Sequence, residues 1–433
     1  MKGTALGQPV PFFGVQRENL AHEEEYCAAI QMTLRHGKSL QGPEVVAFEK
    51  AIANRCRRDY AVAVNSATDA LFFALISSGI GPGDEVIVTS FSFIASASAI
   101  VRAGAKPVFV DIERPSFHMS LHQARQRITE RTKGIVVVHL FGQMVDPRAV
   151  RQLAEEARLP IIEDAAQALG SRWGDIPAGS LGLASALSFD PTKVLSAPGS
   201  GGVVLTDDPQ IRDRIRALRY HGMNANGDFS ALGYNSQMSS LTAALLGLKL
   251  AKLDWFQRRR QQIAASYNEA LSLMGLDCPV PSGDSEHTYH KYVLVVAEGS
   301  AELQHALTAS GIETRVHYRR PLPFEPMFAH LGYTRDTIPI ASSLQGKLLS
   351  LPIHPFLRDE EVERVISCVV SARRARTHDR RQATLRGAST VSQDQGELSG
   401  SNKAPPKPAT SPGLGNPQRA RRLQAARRGS RSR

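Results

Sequence analysis

Ser188-Phe-Asp-Pro-Thr-Lys193, followed by Val-Leu-Ser-Ala-Pro-Gly-Ser-Gly-Gly202, is the stretch on which the reading of the fold turns. It has the pattern of a strand end, a polar turn with a single lysine, and a glycine-rich loop leading into a second apolar run, Gly202 to Leu205. A lysine in a tight, partly buried turn gives up hydration. One chemical use for such an amine is a Schiff base with a carbonyl; an ordinary surface loop is the alternative. The glycines let backbone come close to a ligand.

On the N-terminal side, short apolar runs alternate with helical segments. The runs are 60–64, 85–89, 106–111, 134–138, 159–163 and 185–189. That alternation predicts parallel βαβ units and an α/β fold built on a doubly wound, mainly parallel sheet. Helical spacing covers 23–34, 44–53, 93–102 and most of 241–274. Beyond it, strands at 292–296 and 313–316 and a helix at 301–309 predict a smaller C-terminal α+β domain, closed by a helix at 359–373. The expected division is a loose arm at 1–20, a large domain at 21–255, a small domain at 256–372 and a basic, disordered tail at 373–433.

Ligands of open parallel sheets bind at the carboxyl ends of the strands. After the run ending at Val64 comes Asn65-Ser-Ala-Thr-Asp69 and a helix start. This is either an ordinary N-cap or an anion cradle. After Ile161-Ile162 come two adjacent acids, Glu163 and Asp164. One of them can serve a metal, a base or a cofactor nitrogen; a helix cap is the plain alternative for Asp164. An anion cradle, a carboxylate and a lysine, each at a strand end, are together what pyridoxal phosphate requires. No GxxxxGK[ST] occurs, and no GxGxxG follows a strand, which disfavours P-loop and nicotinamide chemistry.

Composition sets outer bounds. The chain has 433 residues, 42% hydrophobic, enough for a substantial core. Its +11 charge is uneven. Arg373 to Arg433 hold 15 Lys/Arg against 3 Asp/Glu, a net +12, which leaves −1 for the rest. The tail's Arg421-Arg422 and Arg427-Arg428 pairs could neutralise phosphates in weak nucleic-acid contact, but the tail has no aromatic ring for base stacking, and a solvated extension is the simpler reading. Four scattered cysteines without a CxxC pair argue against a disulfide framework or thiolate metal site and fit a reducing cytoplasm. No signal-peptide pattern or membrane-length apolar run is expected, so no membrane partner is either.

Nine short stretches, in order, resemble the DegT/DnrJ-type sugar aminotransferases, which are fold-type I pyridoxal-phosphate enzymes. They are Gln41-Gly-Pro-Glu44 with Phe48-Glu49, Asn65 to Leu71, Gly81 to Val86, Gly104 to Asp111, Val138 to Gln143, Glu163 to Gln167, Ser188 to Lys193, Gly233-Tyr-Asn235 and Leu351-Pro-Ile353. The resemblance runs from about Val10 to Ile366. It implies that Lys193 forms the Schiff base with the cofactor and shuttles the proton. It implies Asp164 on the pyridine nitrogen, Gln167 at the phenolic oxygen and Phe93 stacked on the ring, plain core packing being the alternative for Phe93. Thr68, the Asp69 backbone and Ser188 would contact the phosphate. Asn235 would reach the phosphate of the other subunit, so the resemblance implies a homodimer with shared active sites. No metal is implied.

The implied reaction moves an amino group from a donor, usually glutamate, to a keto sugar, usually nucleotide-linked. A cyclitol or other non-nucleotide ketone is the alternative acceptor, and a non-catalytic regulator that keeps the fold is the alternative role. Departures from the family pattern lie on the substrate side: Ala67, Ser200, Gln237 where arginine is frequent, and Pro323 where histidine is frequent. Arg219, His221, Arg315 and His317 are the residues that could compensate for a lost cation.

Overall fold

The computed structural model describes residues 8–393. Five strands carry the expected alternation: β1 (Tyr60–Val64), β2 (Glu85–Thr89), β3 (Lys106–Val110), β4 (Thr132–Val138) and β5 (Ile161–Asp164). A small hairpin, β6 (Arg172–Trp173) and β7 (Ile176–Pro177), precedes β8 (Ala184–Ser188) and β9 (Gly202–Thr206). The main sheet has seven strands in the order β1-β9-β8-β5-β4-β2-β3. Its pairs are parallel except for those of β9, which runs antiparallel to both β1 and β8.

Both faces of this sheet are buried, as a mainly parallel sheet requires. Side-chain alternation sends Val62, Val86, Val88 and Val136 into one apolar cluster. Their neighbours Ile87, Ile135 and Val137 pack in a second, and Ala61 and Ala63 in a third. The covering helices in this half are α1 (Val15–Ala21), α2 (Glu23–His36), α3 (Pro43–Arg55), α4 (Ala67–Ser77), α5 (Ala95–Arg102), α6 (Leu121–Gln126), α7 (Pro147–Ala157) and α8 (Pro209–Arg219). Asp146 and Asp208 cap α7 and α8, each followed by proline in the first turn, where the missing N–H costs nothing.

The helical stretch expected at 241–274 is α9 (Ser240–Leu250) followed by α10 (Leu253–Ser272). Then come β10 (Ser285–Glu286), β11 (Tyr292–Val295), α11 (Ala301–Ala309), α12 (Pro339–Ser343), β12 (Leu348–Leu351) and α13 (Asp359–Gln393). β11 pairs antiparallel with β12, while β10 joins the β6–β7 hairpin. A further cluster gathers Tyr267, Tyr292, Leu294, Leu349 and Val365.

Three expectations need correction. The strand foreseen at 313–316 is only an isolated bridge, Arg315 to Ser350, on the edge of β12 that β11 leaves open. Residues 8–20 are not a loose arm: Val10 bridges Ile312, Phe12 is buried and α1 follows. Apolar Val10 and Phe12 gain from burial, a term the polar look of the segment hid. The final helix does not stop at Arg373 but continues to Gln393. Its Ala, Arg, Gln and Leu are good helix formers, so low hydrophobicity there does not mean absence of helix. Contacts divide the chain at Thr377, with residues from His378 forming a separate unit. Residues 1–7 and the rest of the basic tail, with its arginine pairs, lie outside the described residues. Among the described residues no helix is long and apolar enough to cross a membrane.

Candidate active site

Register brings the chemistry to one edge of the sheet. Because β9 is reversed, its first residue, Gly202, pairs with Val64 at the end of β1 and with Ser188 at the end of β8. A Cβ on Gly202 would lie 2.4 Å from the Ser66 carbonyl carbon and oxygen, so only glycine lets β9 pass this close to the start of α4. Ser66 caps α4 by accepting the Asp69 N–H at 3.1 Å. The N–H groups of Ala67 and Thr68 have no acceptor among the described residues. A helix start with free N–H groups is suited to an anion.

Above this edge lies a cavity of about 540 Å³. Thr68, Phe93, Asp164, Gln167, Ser188 and Lys193 all line it. Phe93 is 53% exposed, so the core-packing alternative fails for it. Asp69 and Asn235 are not in the wall. The Asp69 N–H is used by the cap, and its carboxylate takes the Ser236 hydroxyl at 2.6 Å and pairs with Arg102. Asn235 is exposed, and its side chain accepts only a long bond from Gln237 Nε2, 3.4 Å, among the described residues.

The two adjacent acids have opposite fates, because neighbours on a strand face opposite sides. Glu163 is fully buried on the far face and has four donors: His139 Nε2 at 2.9 Å, Gly179 N–H at 2.6 Å, Leu181 N–H at 2.8 Å and the Ser185 hydroxyl at 2.5 Å. His139 Nδ1 accepts from the Val145 N–H, which puts the ring proton on Nε2, toward Glu163. Burial works to raise the Glu163 pKa, yet these bonds hold it below the usual range. Asp164 opens to the cavity. It accepts the Ser96 hydroxyl at 2.6 Å and the Ala166 N–H at 3.2 Å. Burial raises its pKa, against the pull of Ser96, Ala166 and the charge of Lys193.

Lys193 is held by a turn. Asp190 accepts the Thr192 N–H at 3.0 Å and the Thr192 hydroxyl at 2.7 Å, and the Lys193 N–H closes on the Asp190 carbonyl at 2.9 Å. Lys193 is partly buried and lines the cavity. Burial lowers its pKa, and Asp164 and Asp190 oppose that shift. The amine makes no hydrogen bond among the described residues. Gln167 is fixed at both ends: Oε1 accepts the Phe141 N–H at 3.0 Å, and Nε2 donates to the Tyr318 hydroxyl at 3.1 Å.

Residues that the sequence did not single out complete the wall: Phe13, Ser92, Ser96, His290, Lys291 and Tyr318. Ser92 and Ser96 exchange a bond of 2.9 Å behind Asp164. Their signal was the pair of serines after β2, at helical spacing. Of the residues weighed as compensating cations, His317 lines the cavity and bonds Ser350 through Nδ1 at 2.8 Å. Burial pushes its pKa down to about 3, so it is neutral near pH 7. Arg219 is structural, tied to Glu49 at 2.6 Å and the Ala63 carbonyl at 2.7 Å. His221 lies outside the wall, and Arg315 is exposed beside Glu313. Gln237 bonds Gln41 instead of facing this cavity.

The donor set fits pyridoxal phosphate. Free N–H groups at a helix start suit its phosphate, a buried carboxylate suits its pyridine nitrogen, and an unbonded amine with a depressed pKa suits its aldehyde. Residues 21–370 match the family model described as the DegT/DnrJ/EryC1/StrS aminotransferase family. The chain belongs to this family. Its enzymes depend on pyridoxal phosphate, and the chain is a pyridoxal-phosphate-dependent aminotransferase. A dTDP-3-amino-3,4,6-trideoxy-alpha-D-glucose transaminase of Streptomyces venezuelae is 39% identical over 370 residues, covering 85% of this chain and 97% of the relative. A pleiotropic regulatory protein of Geobacillus stearothermophilus is 37% identical over 360 residues, 82% of this chain and 96% of the relative. Among solved structures, S. venezuelae DesV in complex with a ketimine intermediate aligns with a TM-score of 0.82 at 37% identity, over 84% of this chain and 99% of that one. Among the described residues no cluster of three or more His, Cys, Asp or Glu is arranged to hold a metal.

Proposed function

We propose that the chain transfers an amino group from glutamate to a nucleotide-linked keto sugar, with Lys193 as its catalytic residue. The observation that carries this reading is a single cavity holding an unbonded buried amine, a buried carboxylate and a free helix start. When bound, pyridoxal phosphate supplies an aldehyde that condenses with amines and a ring that draws electrons from the adjacent carbon.

The chain's own residues do the rest. Lys193 would hold the cofactor through its amine and, when that amine is free, would move a proton as base and then acid. Burial lowers its pKa, which favours the free base that this work needs. Asp164, positioned by Ser96, keeps the ring nitrogen protonated. Thr68, Ser188 and the start of α4 bind the phosphate, Phe93 covers the ring and Gln167 orients its phenolic oxygen. Asn235, exposed and outside its own protomer's cavity, serves the phosphate of a second subunit in a homodimer. Exposed Leu40, Phe229 and Leu232 supply apolar surface for that pairing. The four free cysteines accord with a cytoplasmic setting.

The nucleotide-linked acceptor draws on the named activity of the Streptomyces venezuelae relative. The Geobacillus relative's name keeps a regulatory role in view, but a buried lysine poised at a carboxylate is what turnover needs and a regulator does not. A panel of keto sugars, free and nucleotide-linked, offered to enzyme preloaded with amino group tests the acceptor. Turnover of nucleotide-linked ketones alone supports the proposal, and turnover of free cyclitol ketones alone refutes it.

A further inference from the structure

The cavity holds a second lysine that the roles above leave unused. Lys291, just before β11, is 6% exposed and lines the same wall as Lys193. Its ammonium lies 4.6 Å from the Phe13 ring centre and 5.3 Å from that of Phe12. No hydrogen bond or ion pair reaches that ammonium among the described residues. Buried lysines are ordinarily paired. Lys249 illustrates the norm in this same chain: 2% exposed, it meets Glu18 at 2.9 Å and Ser196 at 3.3 Å.

Burial pushes the Lys291 pKa well down, and the charges of Lys193, Arg260 and Arg315 push the same way, with only Asp190 opposing. The imidazoles beside it offer no negative charge. His290 is buried with Nδ1 unpartnered, and His317 is neutral near pH 7. The wall therefore holds a buried amine with cations nearby and no acid paired with it, a group whose charged form awaits a partner. An arriving oxyanion would supply the missing counter-charge.

We propose that Lys291 receives the α-carboxylate of the amino donor. This rests on the aminotransferase reading above. Lys291 shares the wall with Lys193 and lies near enough to feel its charge, which favours the donor carboxylate over a nucleotide's phosphates. An α-carboxylate is one bond from the carbon that loses its proton to Lys193, so it must be received deep in the cavity. A nucleotide diphosphate is separated from the reacting carbon by part of a sugar ring and lies nearer the mouth. Phe12 and Phe13 set their rings against the ammonium, which favours its charged form.

The test uses holoenzyme of the native chain, Lys291→Gln and Lys291→Arg. Each is titrated with L-glutamate, L-glutamine, L-aspartate and L-alanine while the cofactor absorbance is followed. For whichever donor converts the native enzyme, Lys291→Gln raises the half-saturating concentration on the order of 10- to 100-fold, and Lys291→Arg recovers most of that loss. Calorimetry with the matching keto acid (2-oxoglutarate for glutamate) shows the same weakening, while binding of thymidine diphosphate and retention of cofactor are unchanged. Unchanged donor titration in Lys291→Gln overturns the inference and leaves the aminotransferase reading intact. So does a loss confined to thymidine diphosphate, which assigns the lysine to the acceptor's phosphates. Failure of the native holoenzyme to respond to any of the amino acids refutes the aminotransferase reading itself.

Discussion

Ser96→Ala isolates the positioning of Asp164 from its identity. The Ser96 hydroxyl donates to Asp164 at 2.6 Å, and both side chains are buried, Ser96 at 2% and Asp164 at 5%. A hydrogen bond to a buried charge contributes roughly 1.5–3 kcal/mol. It acts only on the ionised carboxylate, and each 1.36 kcal/mol of such preference is about one pKa unit. Burial already raises the Asp164 pKa, so removing Ser96 adds to an existing shift in the same direction. The acidic limb of the rate profile for the donor half-reaction should therefore move up by about one to two pH units. On the acid side of the limb the rate should fall by roughly 10- to 100-fold, while on the plateau above it the two enzymes should run alike. The deleted hydroxyl leaves little space, so cofactor retention should hold. Stopped-flow absorbance after mixing holoenzyme with amino acid, run from acid to neutral pH, reads both quantities. Superimposed native and Ser96→Ala profiles would show that the Asp164 charge state does not govern the reaction, and would refute the reasoning.

Glu163→Gln should behave in the opposite way to changes at Asp164. An amide in place of a carboxylate with four donors leaves buried N–H groups facing each other, so urea denaturation should show a loss of about 3–5 kcal/mol with activity per folded molecule retained. Gly202→Ala forces a methyl group against the Ser66 backbone and should weaken cofactor retention at equilibrium dialysis more than it lowers Tm. Burial pushes the pKa of His118, His287, His317 and His354 down to about 3 in each case. Unfolded histidines bind protons below about pH 6.5. The folded state does not until near pH 3, so this contribution to stability is full above pH 6.5 and is lost as pH drops toward 3. Flat stability across that window by chemical denaturation would contradict the neutral, buried assignment.

The sheet was legible because its strands are short, apolar and bounded by turns, from 60–64 through 185–189, and two buried faces leave little freedom in their pattern. The edge of the site was legible for the same reason: a strand end is a position that sequence can locate. Asp164 and Ser188 end a strand, Thr68, Gln167 and Lys193 come soon after one, and all line the cavity. Residues brought in by tertiary packing were not. Lys291 and Tyr318 come from the smaller C-terminal elements, and Phe13 from the segment before α1. None carries a local pattern that separates it from an ordinary core or loop residue. The residues alone do not separate Glu163 from Asp164; the family resemblance points to Asp164, and strand parity turns that side chain to the cavity. Weak hydrophobicity past Arg373 hides the last helix, whose helix-forming residues carry it to Gln393.

The most direct measurement is the absorbance spectrum of purified protein incubated with pyridoxal phosphate and then glutamate, for the native chain and Lys193→Ala. The account predicts a bound cofactor band that shifts to the amine form in the native protein and no catalysed conversion in the variant. A native protein that takes up no cofactor, or a Lys193→Ala protein that converts it at the native rate, would contradict it.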